Sequence, residues 1–250
     1  WWETRNLRMV AKIRAAMDET APGSVLLGEV WEDGSNKVSY SVRRRYLLGD
    51  EIHGLMNYPF RTAALSWLKG GDADEFREAM ETLRENYPPS AYCSAMNFLG
   101  THDTVRILTV LGAAQVPRNR DDRALYRLTP EERSRGAELL KVAALLLFTF
   151  PGSPTVYYGD ETGMEGFEDP FNRGTYPWGR EDGALKSWFA RLGALRRERE
   201  SLQQGDIEYL RCSGPVLAFC RSFGGETSLA ALNAGAEPVS LSLPWAGNAA

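Results

Sequence analysis

Apolar positions along this chain alternate between two patterns: short unbroken runs and longer stretches spaced three or four apart. Glu3 to Met17 sets Leu7, Val10, Ile13 and Met17 on one side of a helix, which Ala21-Pro22-Gly23 ends. Ser24 to Val30 follows as a strand, and Gly54 to Tyr58 is a second, stopped by Pro59. Asp72 is placed to cap a helix whose stripe is Phe76, Met80, Leu83 and Tyr87, halted by Pro88-Pro89. Ala95 to Leu99 is the third strand. Thr129, Pro130 and Glu132 spell a capping box, and the tail of the helix they open, Leu139 to Phe150, is apolar on nearly every side, which predicts a buried helix. Pro151-Gly152-Ser153-Pro154 breaks it, Thr155 to Tyr158 makes a fourth strand, and Leu185 to Arg199 reads as a last amphipathic helix.

Short strands alternating with helices imply parallel pairing through βα units. Beyond Gln204 the helices stop, and Ile207–Cys212, Val216–Phe223, Ser228–Asn233 and Val239–Leu243 read as antiparallel strands joined by turns. The sequence therefore divides into an α/β unit, residues 1–203, and an all-β unit, residues 204–250.

In a parallel sheet, ligands bind beyond the carboxyl ends of the strands, so polar residues just past a strand are candidates for chemistry. Two such places stand out. Val25-Leu26-Leu27 leads into Gly28-Glu29-Val30-Trp31, and the third strand leads into Gly100-Thr101-His102-Asp103-Thr104-Val105-Arg106. Each residue has a plainer reading as well. Glu29 also suits an ion-paired rim position, Asp103 a helix N-cap, and His102 a structural histidine beside that acid. Asp169 and Arg173 pair across a loop turn or meet a ligand. Asn57 and Tyr58 sit at a rim or shape the sheet, and Trp31 stacks on a ligand ring or joins the core.

Composition narrows the field. At 43% apolar, 250 residues bury a sizeable core, and a net charge of −4 gives no excess of basic groups. Arg43-Arg44-Arg45, the one basic cluster, suits a solvated loop or helix face, so nucleic acid is not expected as a partner. The longest apolar run, Val142 to Phe150, falls short of the roughly 20 residues a membrane span needs. Cys93, Cys212 and Cys220 are odd in number and far from metal-site spacing, which favours free thiols, no metal site and a cytoplasmic location. His53 reads as structural.

Taken together, four stretches resemble successive motifs of the α-amylase family of glycoside hydrolases. They are Gly28-Glu29-Val30-Trp31, Met56-Asn57-Tyr58-Pro59-Phe60, Asn97 to Arg106, and Pro151 to Glu161, in the family's order. Asp169-Pro170-Phe171-Asn172-Arg173 resembles that family's sugar-contacting loop after strand eight, and the first two motifs are most similar to those of neopullulanases, cyclomaltodextrinases and maltogenic amylases.

The resemblance implies the C-terminal half of a (β/α)8 TIM barrel, strands five to eight, followed by a partial antiparallel β-sandwich domain. It further implies a retaining glycosidase acting on α-1,4 bonds, with α-1,6 bonds as a second candidate, of maltodextrins, cyclodextrins or pullulan. Glu29 matches the family's proton donor and Asp103 its third acid. His102, Trp31, Asn57, Tyr58, Asp169 and Arg173 match positions that face the glucan. The nucleophile motif at the end of strand four has no match here, so these residues alone are expected to be inactive. No cofactor is visible, and calcium is conceivable only for a longer protein. An open half barrel implies association through its edges or a homo-oligomer. The alternative is a non-catalytic relative that keeps the motifs as a carbohydrate-binding scaffold.

Overall fold

The computed structural model describes residues 2–35, 37–39, 42–43 and 45–242. Helix α1 (Trp2–Thr20) runs slightly beyond both ends of the amphipathic stretch. It is followed by β1 (Leu27–Gly28), a small antiparallel pair β2 (Val38–Ser39) and β3 (Val42–Arg43), and β4 (Gly54–Leu55). Arg43 thus ends a short strand, where the sequence suggested a loop or helix, and Arg44 lies outside the described residues.

Next comes α2 (Tyr58–Leu68), which the hydropathy pattern does not announce. Pro59, read as the stop of a strand, is also the start of this helix. A proline in the first turn loses only an N–H that has no intrahelical partner, and the Asn57 side chain accepts from Phe60 N as its cap. Helix α3 (Ala73–Asn86) follows with Asp72 as N-cap, and it buries Phe76, Met80 and Leu83 as its stripe requires. Short α4 (Pro89–Ser94) leads into β5 (Met96–Phe98). Then come α5 (Ile107–Gly112), α6 (Arg120–Leu125) and α7 (Pro130–Thr149), the last opened by the complete Thr129/Glu132 capping box.

β6 is Ser153–Thr155, two residues earlier than the apolar run suggested. It pairs with β5 alone among the described residues, and such an edge position tolerates Pro154, which has no N–H to donate. Tyr157 and Tyr158 are thereby freed for the rim. Helices α8 (Gly183–Glu198) and α9 (Glu200–Gln204) complete the α/β part.

The strands β1, β4, β5 and β6 lie side by side in chain order and all parallel. Leu27 pairs with Gly54, a bridge joins Met56 to Met96, and Asn97 pairs with Pro154. A row of side-chain amides runs beneath their ends: Asn57 Nδ2 donates to Asn97 Oδ1 at 2.8 Å, and Asn97 Nδ2 to Pro151 O at 2.7 Å.

After α9 the chain forms one antiparallel sheet of β7 (Asp206–Ser213), β8 (Val216–Phe223) and β9 (Glu226–Asn233). The fourth strand expected over Val239–Leu243 is not present among the described residues. The chain turns away after β9, where Ala234 N donates to Pro215 O and Asn233 Nδ2 to Glu237 O; Leu243 is outside the described residues. In this register Cys212 faces Leu217 and Cys220 faces Glu208, so the two thiols stay apart, and all three cysteines are unbridged.

The sheet shares its core with the helices. Phe150 packs against Phe60, Phe76 and Phe219 at ring-centroid distances of 5.5, 5.4 and 5.9 Å. Beside it, two arginines collect carbonyls at the end of α7. Arg196 donates to Phe148 O, Phe150 O and Gly152 O, and buried Arg221 donates to Thr149 O and Gly205 O, each at 2.8 Å. Cations suit the negative end of a helix dipole. Burial nevertheless pulls both guanidinium pKa values down to about 10.

Arg221→Ala leaves two buried carbonyls without donors. Chemical denaturation should show a loss of roughly 2 to 4 kcal/mol, from hydrogen bonds to a charged group worth about 1.5 to 3 kcal/mol each. A loss under about 1 kcal/mol would show that the sheet is held by its apolar face alone.

Candidate functional site

The parallel strands deliver Glu29 and Asp103 to one rim. Glu29 follows β1 directly, and its Oε1 accepts from the Tyr58 hydroxyl at 2.8 Å. Tyr58 opens α2, so the cap that starts this helix also fixes the phenol. Its ring is stacked on Trp31 (centroids 4.2 Å apart, planes at 16°) and edge-on to buried Phe98. Burial, then the bond to Glu29, push the Tyr58 pKa up to about 12; Thr101 opposes this and the charge of Asp103 adds to it. One neutral phenol therefore lies within the field of both carboxylates.

Asp103 follows β5 through an ordered turn. Asp103 N donates to Thr101 Oγ1, and Thr101 N donates to Thr104 Oγ1 at 2.9 Å. This is the local capping chemistry expected of such a sequence, but it employs the threonines and leaves the Asp103 carboxylate free for other partners. His102 Nε2 lies 3.3 Å from Asp103 Oδ1. Arg173 Nη2 donates to that same oxygen at 3.2 Å, and Arg173 Nε to His102 O at 3.1 Å. Asp169 Oδ1 lies 3.0 Å from Arg173 Nε. Asp169 and Arg173 thus pair across their loop, and Arg173 reaches on to Asp103.

Asn57 is buried under the rim, engaged with Asn97 and the first turn of α2, while Trp31 stands 56% exposed. His53 accepts from Leu26 N through Nδ1, a structural bond below the site.

Three residues quoted in the motifs but given no role turn out to hold the rim together. Arg106 is fully buried. It donates through Nε to Asn172 O (2.7 Å) and through Nη1 to Tyr158 O and to Asp160 Oδ1 (3.1 Å). Its guanidinium lies 4.2 and 4.7 Å from the ring centroids of Tyr157 and Tyr158. Buried Asn172 donates in turn to His102 O (2.7 Å) and Thr104 O (2.8 Å). Burial pushes the Asp160 carboxyl up to about 7 against the pull of Arg106. Gly100 is what allows that carboxyl so close to the β5 end, because a Cβ there would lie 2.5 Å from Asp160 Oδ2. The sequence signal for this node was an arginine directly ahead of the apolar stretch Ile107-Leu108 and an acid directly after Gly159.

Among the described residues no group of three or more His, Cys, Asp and Glu side chains converges to hold a metal ion, and no calcium site is assigned to them. No described helix is long and apolar enough to cross a membrane.

Comparison with known proteins places this arrangement. The sequence profile described as "Alpha amylase, catalytic domain" matches residues 3–206. An amylopullulanase of Thermoanaerobacter thermohydrosulfuricus is 36% identical over 220 residues, covering 83% of this chain and 14% of that protein. A cyclomaltodextrinase of Geobacillus thermopakistaniensis is 31% identical over 241 residues, covering 93% of this chain and 35% of its own length. Among solved structures, an α-amylase from Geobacillus thermoleovorans complexed with acarbose superposes with a TM-score of 0.73 at 26% identity, over 92% of this chain and 46% of that one. The chain therefore spans a minor part of each of these proteins.

Arg106→Ala removes the charge partner of buried Asp160 and three tethers of the rim at once. Equilibrium denaturation should show a loss of roughly 3 to 5 kcal/mol, the cost of breaking a buried ion pair from one side. Arg106→Lys, which keeps the charge but not the fork, should recover only part of it.

Proposed function

This chain belongs to the α-amylase family, a family of TIM-barrel-type catalytic domains, and on that premise we propose that it is the second half of a retaining glycoside hydrolase acting on α-glucans. In this reading β1, β4, β5 and β6 are strands five to eight of the barrel, and β7–β9 begin a C-terminal β-sandwich. The substrates are maltodextrins, cyclodextrins or pullulan, cut at α-1,4 and in part at α-1,6 bonds. The names of the amylopullulanase and cyclomaltodextrinase relatives support that class.

The observation that carries the reading is the Tyr58–Glu29 bond at a strand-end rim that also carries Asp103. Tyr58 holds Glu29 by a 2.8 Å bond and lies in the field of Asp103, so the ends of two separate strands serve one centre. A retaining mechanism needs an acid that protonates the departing oxygen and a carboxylate about 5 to 5.5 Å away that attacks the anomeric carbon. Glu29 is the acid. Tyr58 occupies its Oε1 and orients the group, which leaves the second oxygen to carry the proton to the leaving group. Asp103, steadied by Arg173, and His102 beside it hold the hydroxyls of the sugar on which positive charge develops. The nucleophile comes from the preceding strand of the full polypeptide, so these 250 residues alone turn over no glucan.

The outer edges of β1 and β6 carry no pairing strand among the described residues, and Val25 and Leu27 beside the first are exposed. Such edges pair with other strands. We assign them to the first half of the barrel or, where that is absent, to a second copy. Unbridged Cys93, Cys212 and Cys220 support a cytoplasmic setting.

In the complete polypeptide, Glu29→Gln should lower turnover of maltoheptaose, β-cyclodextrin and pullulan roughly 100- to 10,000-fold, the usual share of general acid catalysis. Binding of maltodextrin should survive. A variant keeping more than a tenth of the rate removes Glu29 from that role, and maltodextrin binding without turnover in the unsubstituted protein favours a scaffold. Sedimentation of the 250-residue chain at micromolar concentration should show association, and a monodisperse monomer would count against the edge assignment.

A further inference from the structure

Three buried oxygens at one corner of the fold have no hydrogen-bond partner among the described residues. They are Glu81 Oε1 of α3, the Tyr92 hydroxyl of α4 and the Tyr209 hydroxyl of β7. We propose that together they bind one water molecule, which joins the α/β unit to the C-terminal sheet.

The start of α3 brings these elements together. Asp72, its N-cap, accepts from Gly214 N at 2.9 Å, and Ala73 N donates to Gly214 O at 2.8 Å, so the helix begins at the turn where β7 ends. Helix and strand then run side by side in opposite directions. Close to the turn the Cys212 thiol, raised to about 11 chiefly by burial, also feels Arg77, Asp74 and Asp72. Further along α3, Glu81 and Arg84 come opposite Tyr209. A bulge between Tyr209 and Arg211 turns Tyr209 to the same face as Cys212, where the paired residues Phe219 and Leu217 are fully buried. Helix α4 packs on α3 and brings in Tyr92, which is only 5% exposed.

The electrostatics place the three groups in one another's field. Burial first, then the charges of Tyr92 and Glu81, push the Tyr209 pKa well above the ordinary tyrosine value, with Arg84 opposing. Burial and then Glu81 raise Tyr92 in the same way, and Arg84 opposes there too. Both phenols therefore keep their O–H donors.

The donor set selects a neutral guest. Arg84 Nε donates to Glu81 Oε2 at 3.1 Å, so the carboxylate is already balanced through its other oxygen. An anion would meet Glu81 and a cation would meet Arg84. A water molecule accepts from both phenols and donates to Glu81 Oε1, which makes the three bonds usual for a buried water. Each of the three elements then contributes one partner to the same small molecule.

A high-resolution crystal structure of the complete polypeptide should show one water within hydrogen-bond distance of all three oxygens. Direct phenol–carboxylate contacts without that water would overturn the proposal. Substitution gives a second reading, whose sign is decisive. Removing a hydroxyl that has no partner stabilises a fold, whereas removing one that holds a shared water destabilises it. In equilibrium denaturation, Tyr92→Phe and Tyr209→Phe should each raise the unfolding equilibrium constant about five- to tenfold. The double variant should fall short of the product of the two effects, since both act through one guest. A gain in stability from either substitution, or strictly multiplicative effects, would overturn the proposal. So would a midpoint that rises in ammonium chloride relative to tetramethylammonium chloride at equal ionic strength, because it would assign the site to a cation.

Discussion

A buried charge sets the terms for the rim. Arg106 has no access to water, and a guanidinium in that position persists only when its charge is balanced and most of its donors are met. Here Asp160 balances the charge and the carbonyls of Tyr158 and Asn172 accept from Nη1 and Nε, while Nη2 is buried without a hydrogen-bond partner among the described residues. Those partners come from the segment after β6 and from the loop that carries Arg173. Satisfying one cation therefore draws together the β5 end and that loop, the pieces that place His102 and Asp103. The node reaches the candidate site directly, since Asn172 holds the carbonyls of His102 and Thr104.

Glu29 is held by a different device. Its orientation depends on Tyr58, and Tyr58 depends on the first turn of α2, where Asn57 caps the helix and links to Asn97 under the strands. The two carboxylates are thus positioned by independent means, one by a buried ion pair and one by a helix cap. The phenol bonded to Glu29 is kept neutral by burial well past the ordinary tyrosine range, and the charge of Asp103 adds to that shift.

How much of this was legible in the sequence follows from the range of each interaction. The Thr129 capping box, the Asp72 cap and the buried stripe of α3 are local and were readable, as were Glu29, His102 and Asp103 at strand ends. Asn57 and Pro59 were noticed but half understood, because a proline that ends a strand and one that begins a helix look alike in one dimension. The roles of Arg106, Asp160 and Asn172 were not legible. Their bonds span 52 to 70 residues and end mostly on backbone carbonyls, which carry no residue signature. The expected strand at Val239 failed for a related reason: alternation in the sequence does not show where a chain turns away from its sheet.

The ring of Phe150 has a thermodynamic consequence for the rim. It touches Phe60 on α2, Phe76 on α3 and Phe219 on β8, so the C-terminal sheet and the helix bearing Tyr58 rest on the same side chain. Local opening of a protein proceeds in cooperative blocks whose limits follow packing rather than domain boundaries. By that criterion the sheet and α2 belong to one block. Fraying of β7–β9 is then expected to reach the helix whose Tyr58 holds Glu29, which makes the sheet a buttress of that carboxylate.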